Sequence, residues 1–285
     1  MKTSALLIPC AAIAGLLGLP SLAHADDTLF GNNAGGGNDM ATEFDVNIGA
    51  GTATIVKSFT LNPGNGRGMV VVGNVMYTTV TGDSHIYETN VTTGLSIGSI
   101  NTSVASMSTI AWDGTEFWTS DYSGSTHAYE ISTSGALLKT ITLNSAGNNY
   151  DGMEFFNGQL IANEGDAQGP YDVYSLAGGS PTTANFLNTA AHNNSSTGIA
   201  FDGTDFLTSN IFNSSISVWN GTTGAFIETI TLPSPSYGNL IEDLSVNYNT
   251  TTNKPSSAPD GGSTIVLFGI AALGCVLARR RLVAA

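Results

Sequence analysis

Cysteine is nearly absent from this chain of 285 residues: Cys10 and Cys275 are its two thiols, one near each end. The long stretch between them can form neither a disulfide framework nor a thiolate zinc site, so a packed core has to hold it together. Positive charge is just as scarce, with 8 Lys and Arg against 22 Asp and Glu. Lys2 and the run Arg279, Arg280 and Arg281 lie in the terminal segments, which leaves Lys57, Arg67, Lys139 and Lys254 for everything else. Without a basic patch, nucleic acid and simple adhesion to anionic lipid are disfavoured. An acidic surface suits solubility, cations or neutral partners such as glycans. Two catalytic signatures are missing too: there is no phosphate loop and no His-Glu-x-x-His. The balance leans away from an enzyme.

The two ends read as processing signals. Lys2, an apolar run from Ala5 to Leu19 and the small-residue site Ala23-His24-Ala25 have the three-part layout of a secretory signal peptide over residues 1–25. Export is therefore expected, with cleavage before Asp26. Residues 26–248 form the exported body. Residues 249–262, "NTTTNKPSSAPDGG", have no apolar period and read as a polar linker. Residues 263–285 open with an apolar run from Ser263 to Ala278, at the short limit for a transmembrane helix, and carry the three arginines. The positive-inside rule holds those arginines in the cytoplasm and the body outside.

The body repeats itself. "STIAWDGTEFWTSDYSGSTHAYEISTSGALLKTITL" from Ser108 matches "STGIAFDGTDFLTSNIFNSSISVWNGTTGAFIETITL" from Ser196, and weaker copies start near Gly68 and Tyr150. Each copy reads as four short strands of about 40–45 residues in all, the size of a propeller blade. The first strand is apolar and runs into Gly73-Asn74, Asp113-Gly114, Asn157-Gly158 or Asp202-Gly203, dipeptides that supply the positive φ of tight hairpins. The third carries Tyr87, Tyr129, Tyr174 or Trp219, expected as one inter-blade packing layer, with Phe44 extending the series backwards. The stretch around Phe44 lacks a first strand. Following the first-strand positions Met69, Ile110, Met153 and Ile199 one step further reaches Leu244, in "IEDLSVNY". The expectation is an all-β, five-bladed β-propeller whose N-terminal blade is completed by residues 241–248. Joining the two ends in one sheet buries the exposed edges of an open ring.

Propellers place function in the loops around one end of the central channel. Acidic groups recur where the chain leads into first strands and leaves second strands, and Asp121, Asp151, Glu164, Asp166, Glu242 and Asp243 are the candidate binding residues. Carboxylates and amide oxygens are hard ligands that suit Ca²⁺, the one cofactor the pattern suggests. "NEGDAQG", Asn163 to Gly169, is the densest such loop. It lacks the spaced Asp-x-Asp-x-Asp pattern and reads rather as a solvated loop with turn-forming glycine. Trp118 and Tyr122 are expected to be exposed near second-strand ends. His85 and His127 stand two residues before Tyr87 and Tyr129, a likeness that repetition explains without a metal. Asn-x-Ser/Thr sequences, among them those at Asn90, Asn101, Asn194, Asn213, Asn220 and Asn249, read as turn chemistry.

Two resemblances add to this. Pro259, Asp260, Gly261 and Gly262, the apolar run, and the cluster Arg279, Arg280 and Arg281 resemble the C-terminal sorting tails of the PEP-CTERM type, more closely the VPDSG variant, with Ala258 in place of Val and Gly261 in place of Ser. The resemblance covers about the last 25 residues. It implies an exosortase-type sorting enzyme as a partner, transient anchoring in the inner membrane, cleavage near Pro259, and release to the outer surface or an extracellular exopolysaccharide matrix. A permanent single-helix anchor is the alternative. "AWDGTEFWTSDY" and "AFDGTDFLTSN" loosely resemble blades of five-bladed glutaminyl cyclases and of propeller lyases, in generic blade residues only. The functional expectation is a non-catalytic binding platform for a glycan, cation or protein at the cell surface. The alternative is an extracellular propeller enzyme with an acidic face at the channel.

Overall fold

The computed structural model describes residues 27–33, 40–64, 66–121, 126–143, 150–163, 169–177, 180–192, 196–233 and 241–248. The segments expected to be a signal peptide, a linker with a sorting motif and an apolar tail lie outside the described residues. Among the described residues, no helix is long and apolar enough to cross a membrane.

Five four-stranded antiparallel sheets make a five-bladed propeller. Blade 1 contains β1 (Asp27–Asn33), β2 (Met40–Asn47) and β3 (Thr52–Thr60). Blade 2 runs through β4 (Gly66–Val72), β5 (Val75–Val80), β6 (His85–Asn90) and β7 (Ser96–Asn101). Blade 3 is β8 (Met107–Trp112), β9 (Phe117–Asp121), β10 (His127–Ile131) and β11 (Leu137–Thr142). Blade 4 is β12 (Met153–Phe156), β13 (Gln159–Asn163), β14 (Tyr171–Ser175) and β15 (Pro181–Leu187). A 3₁₀ turn at Thr189–His192 leads to blade 5, built from β16 (Ile199–Phe201), β17 (Asp205–Ser209), β18 (Ser215–Asn220) and β19 (Phe226–Thr231). The last strand, β20 (Ile241–Val246), pairs antiparallel with β1 and is the innermost strand of blade 1. Successive innermost strands β20, β4, β8, β12 and β16 touch one another around the ring.

One rung runs through all five blades. Met69 lies opposite Thr78, Ile110 opposite Thr119, Met153 opposite Ala162, Ile199 opposite Thr208, and Leu244 opposite Gly31. These inner residues are all buried, as short apolar strands with neighbours on both faces must be. The rung before them holds Gly68, Thr109, Gly152, Gly198 and Asp243. There the strands approach backbone to backbone: a Cβ on Gly68 would lie 2.5 Å from the Thr109 carbonyl carbon, and one on Gly198 would lie 2.5 Å from Asp243 Cα.

The turns follow the sequence chemistry. Asp113 Oδ1 accepts from the N–H groups of Thr115 and Glu116 at 2.8 Å each, and Asp202 Oδ1 from those of Thr204 and Asp205 at 2.7 Å each. Asn90 and Asn220 do the same in matching turns between third and fourth strands, so these two sequons serve as turn formers.

Two expectations need correction. The aromatic series is not one layer. Tyr87 and Tyr129 pair with Thr78 and Thr119, at the rung that Asp172, Ser217 and Thr42 occupy in other blades. Tyr174, Trp219 and Phe44 sit two residues further on and are buried, while Tyr87 and Tyr129 are half-buried. Even spacing keeps all five on one strand face, but the two tyrosines stand closer to the loops. Trp118 is 1% exposed, packed with Tyr174 and Leu160, and its indole N–H donates to Asp113 Oδ2 at 3.1 Å. Tyr122 lies outside the described residues.

Candidate functional site

First strands begin and second strands end on the same end of the ring, which brings Arg67, Asp83, Asp121, Asp151, Asn163 and Glu242 to one face. At the channel mouth, Arg67 reaches across blades. Its Nη1 donates to Glu242 Oε1 of blade 1 and its Nη2 lies 3.6 Å from Asp151 Oδ1 of blade 4. The arginine side chain is 20% exposed, and those of Asp151 and Glu242 only 9% and 7%. Burial pushes Glu242 up from the usual carboxylate range, against the pull of the guanidinium. Two of the expected binding acids are thus brought together, but by an internal cation.

Asp243 lies deeper. An inner strand has an unpaired edge toward the channel, and its N–H groups need acceptors. Asp243 Oδ2 accepts from Met69 N–H of blade 2 at 2.8 Å, and Ser245 Oγ accepts from Val71 N–H at 2.9 Å. Glu154 lies in the same network: it accepts from its own neighbour Phe155 N–H at 2.6 Å, and Phe201 N–H of blade 5 donates to the Tyr248 hydroxyl at 3.5 Å. The Tyr248 hydroxyl donates to Glu154 Oε2, while Tyr248 N–H donates to Val71 carbonyl at 2.8 Å, so one residue joins blade 2 to blade 4 across the channel. Glu154 and Asp243 are fully desolvated, which pushes Glu154 up to about 8 and Asp243 well above its ordinary value.

Asn163 Oδ1 accepts from Asp151 and Gly152 N–H at 3.1 and 2.9 Å, and its Nδ2 donates to Ser196 carbonyl at 3.1 Å, stapling blade 4 to blade 5. Glu164 and Asp166 lie outside the described residues. Asp121 is separate from the mouth group; its Oδ2 accepts from the Tyr129 hydroxyl at 2.7 Å. The same arrangement recurs next door. Asp83 Oδ2 accepts from the Tyr87 hydroxyl, and Asp83 Oδ1 lies 2.6 Å from His85 Nδ1. The tyrosine bond first, and then the histidine bond, hold Asp83 down at about 2.

Ca²⁺ needs several oxygens converging on one point. Asp151 and Glu242 converge on Arg67, Asp243 on backbone N–H groups, and Asp121 on Tyr129. The described candidates therefore do not fit that ion. No group of three or more His, Cys, Asp or Glu disposed to hold a metal occurs among the described residues.

Sequence reasoning missed Arg67. Its signal was rarity: it is one of only four cations outside the terminal segments, placed directly before an inner strand. Two others are spent on the rim, where Lys57 Nζ donates to the Val91 carbonyl at 2.9 Å and Lys139 Nζ to that of Leu176 at 2.8 Å, each in the next blade.

No family model matches the chain, and no curated protein does. Among solved structures, a chain of a nidogen/laminin complex superposes with a TM-score of 0.52 at 12% identity, covering 82% of this chain and 100% of that one. A glutaminyl cyclase from Myxococcus xanthus superposes with a TM-score of 0.45 at 11% identity, covering 59% of this chain and 70% of that one. At such identities the first likeness speaks to the fold alone.

Proposed function

We propose that this chain is exported, sorted by an exosortase-type enzyme to the cell surface or extracellular matrix, and serves there as a non-catalytic binding platform. The reading of location rests on the signal-like segment 1–25, on the motif Pro259 to Gly262, and on the run Arg279 to Arg281. One observation carries the platform reading: the channel-mouth carboxylates and the inner-strand edges are consumed by internal bonds around Arg67, Asp243 and Glu154. A substrate would have to displace the fold's own contacts to reach them. Function moves outward, to side chains on the same face that remain exposed.

The test is retention of the full chain on matrix extracted from the producing cells, with and without Ca²⁺. Retention supports the platform; no retention under either condition removes it. The mass of the cell-released protein tests sorting, since a released form that still contains Arg279 to Arg281 contradicts processing of the tail.

A second reading, an extracellular propeller enzyme of cyclase or lyase type, is favoured by the Asp83–His85 pair. An ionised carboxylate on Nδ1 orients an imidazole as general bases require. Activity in a substrate screen that falls at least 100-fold in His85→Ala would establish it.

A further inference from the structure

Blades 2 and 3 carry the same three kinds of side chain at one end of the sheet. His85 and Tyr87 in one match His127 and Tyr129 in the other, while Asp83 lies in the turn after β5 and Asp121 ends β9. In each, the tyrosine hydroxyl donates to the aspartate. The histidine and tyrosine rings lie 5.9 Å apart in both, at interplanar angles of 35° and 29°.

The two clusters are also neighbours. Ser106 N–H donates to the Asp83 carbonyl at 2.8 Å, and the next residue, Met107, lies opposite Asp121 in the blade 3 sheet. Asp83 and Asp121 thus flank one dipeptide and stand on the order of 10 Å apart, given the spacing of paired strands. Ser106 holds φ at 57°, a conformation seldom adopted by a residue with a side chain and one that gathers at functional sites.

The chemistry points to one kind of ligand. Asp83 is an ionised acceptor with a side chain 31% exposed. His85 is 38% exposed, and with Nδ1 committed to Asp83 its Nε2 remains for a hydrogen bond. The tyrosine and histidine rings offer apolar faces beside these polar atoms. An acidic polymer would meet two carboxylates here, with Lys57 and Lys139 committed to backbone carbonyls on the rim. A hydroxylated, uncharged chain meets acceptors for its O–H groups and rings for its C–H faces.

We propose that these clusters are adjacent subsites for a neutral polysaccharide, its hydroxyls taken by Asp83, His85 and His127, with its rings against Tyr87 and Tyr129. This rests on the platform reading and names its ligand and place. The test separates matrix polysaccharide from the producing cells into neutral and acidic fractions by anion exchange. Each fraction is cast into native gels, and migration of the full chain is measured. Retardation by the neutral fraction is expected, weakened about tenfold or more in the pair His85→Ala and His127→Ala, as lost polar contacts imply. Asp83→Asn, which keeps the shape, should weaken it similarly when measured well below its melting temperature, which the weaker bonds to Tyr87 and His85 lower slightly. That second variant decides the matter if the first melts early. Retardation by the acidic fraction alone, by neither fraction, or equally in wild type and Asp83→Asn overturns the inference. If whole matrix still retains the chain, the platform reading survives that loss.

Discussion

Every residue of β20, the innermost strand of blade 1, is buried, whereas β7, the outermost strand of blade 2, alternates between exposed and half-exposed. The contrast repeats around the ring: β8, β12 and β16 are buried or nearly so, while β3, β11 and β19 expose Val56, Leu138 and Ile227. Both kinds of strand are short. Position in the blade decides their fate. A first strand has neighbouring blades against both its faces and an edge toward the channel, so a misfit there has no solvent to move into. A fourth strand ends its sheet and faces water. Stability should therefore be concentrated at the hub.

The largest effect is expected from Gly198→Ala. The new Cβ would lie 2.5 Å from Asp243 Cα, so β16 and β20 must part, and a loss of about 3 kcal/mol or more in chemical denaturation is expected. Arg67→Ala comes next. It leaves two nearly buried carboxylates facing each other without a cation, and about 3 kcal/mol should be lost. If Arg67→Ala instead costs no more than a rim substitution, the hub is not where the fold is secured.

The third concerns pH. Glu154 has an ordinary value of 4.5 and is pushed up to about 8 in the folded chain, so folding holds its proton more tightly. Its contribution is fully present below about 4.5 and is lost as pH rises through about 8. In that window stability should fall by up to ~1.4 kcal/mol per pH unit for this group. Asp243, also raised, adds to the same slope, and Tyr248 and Glu242 are the other titrating groups that face the pair. Denaturation midpoints from pH 5 to pH 8 should show a flatter slope in Glu154→Gln. Tyr129→Phe removes one bond to Asp121 and should lose about 1 kcal/mol. Leu138→Ser, on the 52% exposed rim, should change stability by less than about 0.5 kcal/mol.

The blades were legible because apolar first strands and Asp-Gly or Asn-Gly turns leave local marks. Met69, Ile110, Met153 and Ile199 could be aligned by period alone, and the strand pairs put them on one rung. The aromatic series misled because spacing along the chain does not register a strand against its neighbour. Tyr129 and Tyr174 are both third-strand aromatics, yet Tyr129 pairs with Thr119 and Tyr174 with Leu160, two residues apart in the blade. The candidate site was half legible. Recurrent acids mark a loop end from sequence, so Asp121, Asp151 and Glu242 could be chosen. Who neutralises Asp151 and Glu242 depends on blades 1, 2 and 4 meeting at Arg67, a contact over 175 residues for Glu242 that no local pattern encodes. The partner of Asp243 was illegible for a related reason: it is a backbone N–H, which has no letter in the sequence.

The pairing of β20 with β1 has a directional consequence. Val246 lies opposite Leu29, so the strand that opens the ring and the strand that ends it both meet the outside at the same pole, away from Asp83 and Asp121. Any tether continuing past Tyr248 would leave from the underside. A ring held that way presents its histidine-bearing pole outward, like a dish on a stalk, whatever the length of the stalk.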